Sequence, residues 1–215
     1  MKVSISGVRG IFGDDLNLED IIYYCRNFSR LVKSKKCVVG RDTRPSGEIV
    51  TNVAIASLLE RGISVYNLGI SPTPVVFREA RRYGSGLIIT SSHNPLEWNG
   101  LKFIVDGRGI NESELQYMIK KDNFQREKIG VETEVDSNYI DEAAKLIGKI
   151  KKSSKIAIDV GGGAAFEVAP QLLKKLGGKV SVINAIPGKS TRGPDPTNDQ
   201  LSELVQASKK TSIGF

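Results

Sequence analysis

The chain has 215 residues, 40% of them hydrophobic, and its 31 Lys and Arg residues outnumber 24 Asp and Glu residues for a formal net charge of +7. This length and composition suffice for one large domain or two small packed domains. The sequence contains no zinc-ligand pattern and no aromatic-basic RNA motif. We therefore interpret the basic balance as favouring an anionic small substrate over nucleic acid.

Hydropathy, the N-terminal residues and the cysteine content indicate the cellular compartment of the protein. No stretch of about 18 apolar residues is present, so no membrane-spanning helix is expected. The first residues lack the apolar core of a signal peptide. Cys25 and Cys37 are the only cysteines, too few for a disulfide framework in a chain of this length, and we interpret them as reduced thiols. These features predict a cytoplasmic protein without a membrane partner.

The predicted elements begin with a strand or loop over residues 3–13, which three glycines interrupt. Within it, Arg9 lies between Gly7 and Gly10. Glycines beside an arginine let a ligand approach the backbone and the guanidinium closely, and a guanidinium can hold a phosphate through two hydrogen bonds. The same residues are equally compatible with a surface turn that carries a solvated arginine, and both interpretations stay open.

Apolar runs and helical spacing then alternate along the chain, which predicts βαβ units. Asn17 is a candidate N-cap for the first helix, and Gly62 ends the second. In chain order the predicted elements are a helix over residues 18–32, a strand over 37–39, a helix over 49–61, a strand over 64–68, a helix over 75–83, strands over 87–89 and 101–105, and a helix over 111–119.

A polar loop, residues 40–48, follows the strand at 37–39 and contains Arg41, Asp42 and Arg44. Because the aspartate stands between two arginines, we interpret the three side chains as an ion-pair cluster that fixes the loop. The alternative is that Arg41 and Arg44 contact a phosphate group.

The densest group of polar residues lies between the apolar runs at 87–89 and 101–105. It places His93, the only histidine, beside Ser92. Both follow a predicted strand, where open α/β sheets bind their ligands. Asn99-Gly100, directly before the second run, predicts a turn. That turn would fold Lys102 back towards Ser92.

Three interpretations of this loop differ in chemistry. The first is a polar hairpin loop without function, which the dense hydroxyl, imidazole and amide groups disfavour. The second is a Ser-His hydrolase. We reject it because adjacent side chains in an extended segment point apart, the chain has one histidine, and no Gly-x-Ser-x-Gly elbow is present. The third is a serine that carries a phosphoryl group, since phosphoryl transfer depends on positioning and positive charge more than on a histidine base.

A second βαβ pattern follows a polar stretch that we interpret as a domain boundary, placed after Asp136. The glycines from Gly161 to Gly163 invite a dinucleotide interpretation. However, Phe166 replaces the third glycine of that fingerprint, and Asn184 stands where an acidic ribose ligand is expected, so nucleotide binding is disfavoured. The predicted elements here are a helix over residues 139–150, a strand over 156–160, a helix through 176, a strand over 180–183, a helix over 200–207 and a strand from 211.

The loop around Ser92 resembles the phosphoserine signature of the α-D-phosphohexomutases, the family of phosphoglucomutase, phosphomannomutase and phosphoglucosamine mutase. That signature reads Thr-Ala-Ser-His-Asn-Pro and then Asn-Gly-x-Lys at the spacing found here, with Ser91 in place of the alanine. Residues 3–5 depart from the family's opening Phe-Gly-Thr. The similar stretches are Thr90-Ser91-Ser92-His93-Asn94-Pro95, Asn99-Gly100-Leu101-Lys102, Ser6-Gly7-Val8-Arg9-Gly10 and Gly40-Arg41-Asp42-Thr43-Arg44-Pro45-Ser46-Gly47.

The resemblance implies an α/β fold of two three-layer α/β/α domains with mixed sheets, the second incomplete at its C-terminus. Domain I would span residues 1–136 and carry the phosphoserine loop, and domain II would span residues 137–215. The glycine turn after residue 160 would be structural. The implied site residues are Ser92 as phosphoryl carrier, Lys102 as general acid/base, Arg9 as the third catalytic residue, and Thr90, His93, Asn94 and Arg41 as substrate or phosphate ligands.

The resemblance also implies a phosphosugar substrate, magnesium, and a hexose bisphosphate activator. The family's metal loop, Asp-Gly-Asp-x-Asp-Arg, and its later sugar and phosphate loops are absent from this sequence. Ser92 would therefore bind magnesium only through its phosphate. The chain is then either the N-terminal half of a phosphohexomutase, or a non-catalytic fragment that binds a sugar phosphate or a partner chain supplying domains III and IV.

Overall fold

The computed structural model describes residues 1–120, 128–148, 154–197 and 201–215 of the chain. The chain divides into two compact units. The first comprises Met1–Ser91 and Glu97–Asp136, and the second comprises Ser92–Leu96 and Ser137–Phe215. Within the described ranges, no helix combines the length and the apolar composition that crossing a membrane requires.

One mixed sheet forms the centre of the first unit, as the predicted fold class requires. Its eight described strands are β1 Lys2–Ser4, β2 Gly7–Ile11, β3 Lys36–Arg41, β4 Ser64–Ile70, β5 Ser85–Ile89, β6 Trp98–Val105, β7 Arg108–Gly109 and β8 Glu132–Glu134. Their order is β1-β2-β6-β5-β3-β4-β8, with β7 paired to β6. The strand β3 runs parallel to β4 and β5, and β8 runs parallel to β4. All pairs that involve β2 or β6 are antiparallel.

The helices described in the first unit are α1 Leu18–Phe28, α2 Gly47–Glu60, α3 Thr73–Tyr83 and α4 Glu112–Ile119. Asn17 caps α1 as predicted, because its side chain accepts from the Asp20 amide while the Asp20 carboxylate accepts from the Asn17 amide. The α-helix ends at Phe28, before the predicted end at residue 32, and a 3-10 turn over Ser29–Leu31 follows. At this point the Ser29 hydroxyl donates to the Arg26 carbonyl at 2.6 Å, which competes with helix continuation.

Helices cover both faces of this sheet, because successive strand side chains point to opposite faces. On one face, Val38, Ile88 and Ile104 pack with Val76 and Ala80 of α3. On the other face, the intervening strand positions pack with α1, α2 and α4. This arrangement is the three-layer α/β/α domain of the predicted fold class. Members of the second cluster include Val39, Leu87, Ile89, Phe103, Phe28, Leu58 and Leu115.

The predicted turn at Asn99-Gly100 is wrong, because β6 already begins at Trp98 and both residues pair with β2. The Asn99 side chain is fully buried and donates to the Ser46 hydroxyl at 2.8 Å. Glycine is required at position 100 by the close approach of β2: a Cβ there would lie 2.2 Å from the Val8 carbonyl oxygen. The chain therefore reverses direction within the loop that precedes Trp98.

Gly100→Ala is expected to lower the free energy of unfolding by at least about 2 kcal/mol, because the added Cβ would force two paired strands apart. Gly109→Ala is the matched control, since a Cβ on Gly109 meets nothing within 4 Å, and its effect should stay within about 0.5 kcal/mol. Urea unfolding of both variants measures the difference. Equal unfolding midpoints would contradict the close packing at Gly100.

The second unit contains a smaller sheet. Its three described strands, β9 Lys155–Asp159, β10 Lys179–Ile183 and β11 Ile213–Gly214, lie in the order β10-β9-β11. Both pairs are parallel, so the described part of this sheet is not mixed, unlike the sheet expected for domain II. The helices described here are α5 Tyr139–Ile147, α6 Val168–Lys175 and α7 Ser202–Ser208. The predicted helix residues 149, 150 and 200 lie outside the described ranges.

The glycine run after β9 forms a packed turn. Gly161 and Gly162 have positive φ angles of 55° and 61°, and a Cβ on Gly162 would lie 2.4 Å from the Lys189 carbonyl oxygen. The Asp159 carboxylate accepts from the Gly161 amide and from Arg192 Nε, each at 2.8 Å. The turn thus packs against the loop that contains Lys189 and Arg192, which agrees with the structural role expected for it.

Candidate active site

The loop that contains Ser92 begins where β5 ends and leads into the antiparallel strand β6. Ser92 is exposed, with a positive φ of 60° that costs a non-glycine residue on the order of 1 kcal/mol. His93 is also exposed, and its Nδ1 lies 3.5 Å from Ser92 Oγ. The expectation that these side chains point apart is wrong, because it assumed an extended backbone. The sequence still lacks the Gly-x-Ser-x-Gly elbow of a serine hydrolase.

Asp42 connects the ends of neighbouring strands. It follows β3, and its amide donates to the carbonyl of Ile89, the last residue of β5, at 3.0 Å. Its carboxylate accepts from the Thr90 hydroxyl at 2.6 Å and from Arg44 Nε at 3.0 Å. Arg44 is 3% exposed and donates from Nη1 to the Trp98 carbonyl at 2.9 Å. The ion pair predicted for this loop is therefore present between Asp42 and Arg44.

Two residues predicted to contact phosphate lie in this region. Thr90 is buried and donates its hydroxyl proton to Asp42. Arg41 is half-buried, and its Nη1 donates to the backbone carbonyl of Asp42 at 3.2 Å. Their donors thus support the loop around Asp42, and a role for either residue towards phosphate stays a prediction. The same holds for His93 and for the half-buried Asn94.

Lys102 and Arg9 are neighbouring cations on β6 and β2. Lys102 is half-buried, and this burial lowers its pKa. The positive charge of Arg9 lowers the pKa of Lys102 further, while the Asp42 carboxylate acts in the opposite direction. A lysine with a lowered pKa gives up and regains a proton more easily near neutral pH, which suits a general acid/base.

Arg9 has an unsatisfied donor beside this lysine. Its Nε is buried and lacks a hydrogen-bond partner among the described residues. Its Nη2 donates to the Ser6 carbonyl at 3.4 Å. A buried donor without a partner is costly, and an anion satisfies both it and the adjacent cation. The pair formed by Arg9 and Lys102 is therefore suited to bind a phosphate group. The shared role of Ser92 at this site stays a prediction.

The described residues do not provide a metal-binding cluster. Among them, no group of three or more His, Cys, Asp or Glu side chains is placed to hold a metal ion. Magnesium is usually held by one or two carboxylates together with phosphate oxygens and water. The described part of the chain therefore does not fit a complete magnesium site.

Sequence reasoning missed the contact between Asp42 and Thr90, and the contact between Asn99 and Ser46. A signal for the first contact was present. Asp42 and Thr90 each follow a predicted strand of a parallel pair, and the carboxyl ends of parallel strands meet at one edge of a sheet. The second contact had no such signal, because Asn99 was assigned to a turn.

Arg9→Gln is expected to raise the pKa of Lys102, because it removes a positive charge that disfavours the ammonium form. Acylation of Lys102 measured against pH by peptide mass spectrometry gives that pKa. Arg108→Gln is the control, since it removes an exposed arginine at the other end of β6. An unchanged or lower pKa in Arg9→Gln would contradict the placement of the two cations.

A family model and relatives of known name match this chain. The family model for "Phosphoglucomutase/phosphomannomutase, alpha/beta/alpha domain I" matches residues 1–130. A probable phosphoglucosamine mutase of Methanocella arvoryzae is 34% identical over 213 residues, which cover 95% of this chain and 48% of the relative. A phosphoglucosamine mutase of Alkaliphilus metalliredigens is 31% identical over 231 residues, which cover 97% and 51%.

Solved structures agree with these relatives. The crystal structure of a phosphoglucomutase/phosphomannomutase family protein from Burkholderia thailandensis matches with a TM-score of 0.84 and 25% identity. The match covers 100% of this chain and 52% of that protein. The chain spans about half the length of the curated relatives it matches.

Proposed function

Because this chain belongs to the phosphoglucomutase/phosphomannomutase family, we propose that it provides the phosphoserine half of a phosphohexomutase. The complete enzyme would interconvert hexose 1-phosphate and hexose 6-phosphate through a phosphorylated Ser92 and a bisphosphate intermediate. One observation carries the proposal: the Ser92 loop leaves the carboxyl end of β5, in the sheet where Arg9 and Lys102 form a pair of neighbouring cations.

The proposed reaction consists of two transfers at one serine. A hydroxyl oxygen of the hexose phosphate bonds to the phosphorus on Ser92, the bond between that phosphorus and Ser92 Oγ breaks, and a bisphosphate forms. The proton lost by the sugar hydroxyl is matched by the proton that Ser92 Oγ gains. After the bisphosphate has reoriented in the site, its other phosphoryl group passes to Ser92 by the reverse exchange. Each cycle thus regenerates the phosphoserine without net consumption of phosphate.

Lys102 and Arg9 would have different roles in the transfer. Lys102 would take the proton from the attacking hydroxyl and return one to the departing oxygen, which its lowered pKa favours. Arg9 would hold the transferred phosphoryl group through its unsatisfied Nε. The remaining proposed ligands of the phosphate or the sugar are Thr90, His93, Asn94 and Arg41.

Magnesium and a hexose bisphosphate would complete the system. Magnesium supplies positive charge at a transferring phosphoryl group, and the bisphosphate would prime Ser92. From this chain, the phosphate on Ser92 would be the metal ligand, since the described residues hold no suitable cluster of three side chains. The roles proposed for Lys102 and Arg9 do not depend on a metal ligand within this chain.

The second candidate is a non-catalytic fragment that binds a sugar phosphate or a partner chain. One observation is compatible with it: the unsatisfied Arg9 Nε and the neighbouring Lys102 suit a phosphate group whether or not Ser92 is phosphorylated. This alternative allows a sugar phosphate to bind near Arg9 and Lys102, but it gives Ser92 no phosphoryl group. Phosphorylation of Ser92 is therefore the property that separates the two candidates.

The chain alone is expected to show no multiple-turnover mutase activity, because the family's metal, sugar and distal phosphate loops are absent from its sequence. A coupled assay with magnesium and a bisphosphate primer measures this. Glucosamine 1-phosphate is the first substrate to test, since the two relatives are described as a probable phosphoglucosamine mutase and a phosphoglucosamine mutase. Glucose 1-phosphate and mannose 1-phosphate follow.

A chimera in which residues 1–215 replace the matching half of the Methanocella arvoryzae relative provides the comparison, and it is expected to turn over. Clear turnover by the purified chain, with its mass confirmed, would refute the expectation for the chain alone. A folded chimera that binds the sugar phosphate without turnover would favour the non-catalytic alternative.

A further inference from the structure

Both ends of the loop over residues 91–97 are tied to the segment that follows β3. At the first end, Thr90 donates its hydroxyl proton to Asp42 Oδ2 at 2.6 Å. At the second end, the Trp98 carbonyl accepts from Arg44 Nη1 at 2.9 Å, and Arg44 Nε donates to the same Asp42 Oδ2 at 3.0 Å. One carboxylate oxygen therefore connects the two loop ends, and we call Thr90, Asp42 and Arg44 the Asp42 clamp.

The Asp42 clamp is mostly shielded from water. The Arg44 and Asp42 side chains are 3% and 20% exposed, and Thr90 is 6% exposed. The second carboxylate oxygen of Asp42 accepts from the Arg44 amide at 3.1 Å. Hydrogen bonds to a charged group are strong in such surroundings, and a partner left unpaired there is costly. The Asp42 clamp is thus a specific contact, unlike a solvated surface ion pair.

The Asp42 clamp lies next to a strained backbone position. Ser92 comes two residues after Thr90 and has a φ of 60°. A non-glycine residue keeps such a conformation where the surrounding structure fixes the backbone. The Thr90 amide also donates to the Gly100 carbonyl at 3.0 Å, so both the side chain and the backbone of Thr90 are held. The backbone that leads into Ser92 is therefore anchored at Thr90 through Asp42.

We propose that Asp42 is a positioning residue for phosphoryl transfer, because its carboxylate fixes both ends of the loop that presents Ser92. This inference rests on the proposed function, in which Ser92 carries the phosphoryl group. A displacement of about 1 Å at a reacting atom costs on the order of a hundred-fold in rate. A residue that touches neither the phosphate nor the sugar can thus control turnover. The Asp42 carboxylate also favours the charged form of Lys102, so it acts on both proposed reacting groups.

Amide hydrogen exchange on the purified chain tests whether Asp42 restrains the backbone at the two ends of this loop. Asp42→Asn removes the negative charge of the Asp42 carboxylate. Amide exchange at residues 90 and 99–101 is then expected to become about ten- to hundred-fold faster. Asp106→Asn is the matched control, because it makes the same change at an exposed position beyond the far end of β6. It should leave exchange at these residues unchanged.

A second pair of variants gives the answer should Asp42→Asn fail to fold. Thr90→Val deletes the hydroxyl that Asp42 binds and should speed exchange in the same residues. Thr90→Ser keeps a hydroxyl and should restore exchange close to that of the unmodified chain. A rescue by serine assigns the effect to the hydrogen bond with Asp42 and not to the loss of side-chain volume.

Two readouts separate positioning from a merely structural contact. The pKa of Lys102, measured by acylation against pH, should fall in Asp42→Asn, opposite to the rise expected for Arg9→Gln, because the Asp42 carboxylate raises this pKa and the Arg9 guanidinium lowers it. In the chimera, Asp42→Asn should lower kcat by about a hundred-fold with little change in KM.

The outcomes distinguish this inference from the proposed function. Unchanged exchange in both Asp42→Asn and Thr90→Val would overturn the inference. Faster exchange with an unchanged kcat in the chimera would overturn it as well, since a structural contact alone gives that pattern. Either result leaves the proposed function standing. A chimera that never carries a phosphoryl group on Ser92, although its loop exchanges slowly, would instead overturn the proposed function.

Discussion

Ser92→Ala in the chimera is expected to abolish both mutase turnover and phosphate incorporation from a bisphosphate primer. The variant removes the oxygen that would bond to phosphorus in each of the two proposed transfers. Loss of a nucleophile that forms a covalent intermediate lowers kcat on the order of ten-thousand-fold or more. The measurement is kcat with glucosamine 1-phosphate, together with intact mass after incubation with the primer.

Ser91→Ala is the matched control for this experiment. Ser91 is the adjacent serine, its side chain is fully buried, and the phosphoserine signature has alanine at this place. This variant should keep a kcat close to that of the unmodified chimera. Turnover and phosphate incorporation at undiminished rates in Ser92→Ala would remove Ser92 as the phosphoryl carrier.

Lys102→Met is expected to lower kcat of the chimera by about a hundred- to ten-thousand-fold, the range typical of a lost general acid/base. Methionine keeps most of the side-chain length and the apolar packing within β6, but it deletes the amine whose pKa burial and Arg9 lower. The measurement is kcat as a function of pH. The limb of the pH profile that reports Lys102 should disappear in the variant.

Lys36→Met provides the matched control for Lys102→Met, since Lys36 is an exposed lysine at the start of β3. Its kcat should stay near that of the unmodified chimera. If both variants had the same kcat and the same pH profile, proton transfer by Lys102 would be excluded, and the lowered pKa would have a purely structural origin.

The sequence predicted the architecture best where the signal is local. The apolar runs predicted the central strands β3, β5 and β9, and Asn17 predicted the start of α1. The family resemblance, carried by the motif around Ser92, is confirmed by the family model and the relatives. The end of α1 at Phe28 was not predicted, because helical spacing continues past it and the contact of the Ser29 hydroxyl with the Arg26 carbonyl leaves no mark in that spacing.

The site was predicted less completely, because its contacts join distant parts of the chain. Asn99-Gly100 has the composition of a turn, yet pairing with β2 draws both residues into a strand. The contact between Asp42 and Thr90 spans 48 positions in sequence and depends on strand order. The left-handed conformation of Ser92 has no sequence signal, since serine rarely adopts it without outside support.

The location of the phosphoryl group in the chimera during turnover tests the central claim most directly. Peptide mass spectrometry after incubation with a hexose bisphosphate should find one phosphoryl group on Ser92 and none on Ser91. If the phosphoryl group on Ser92 carries an isotopic label, addition of excess hexose 1-phosphate should move the label to the sugar phosphate, while each cycle places an unlabelled phosphoryl group back on Ser92. Sustained turnover with Ser92 unmodified, or with the phosphoryl group on a different residue, would contradict the claim.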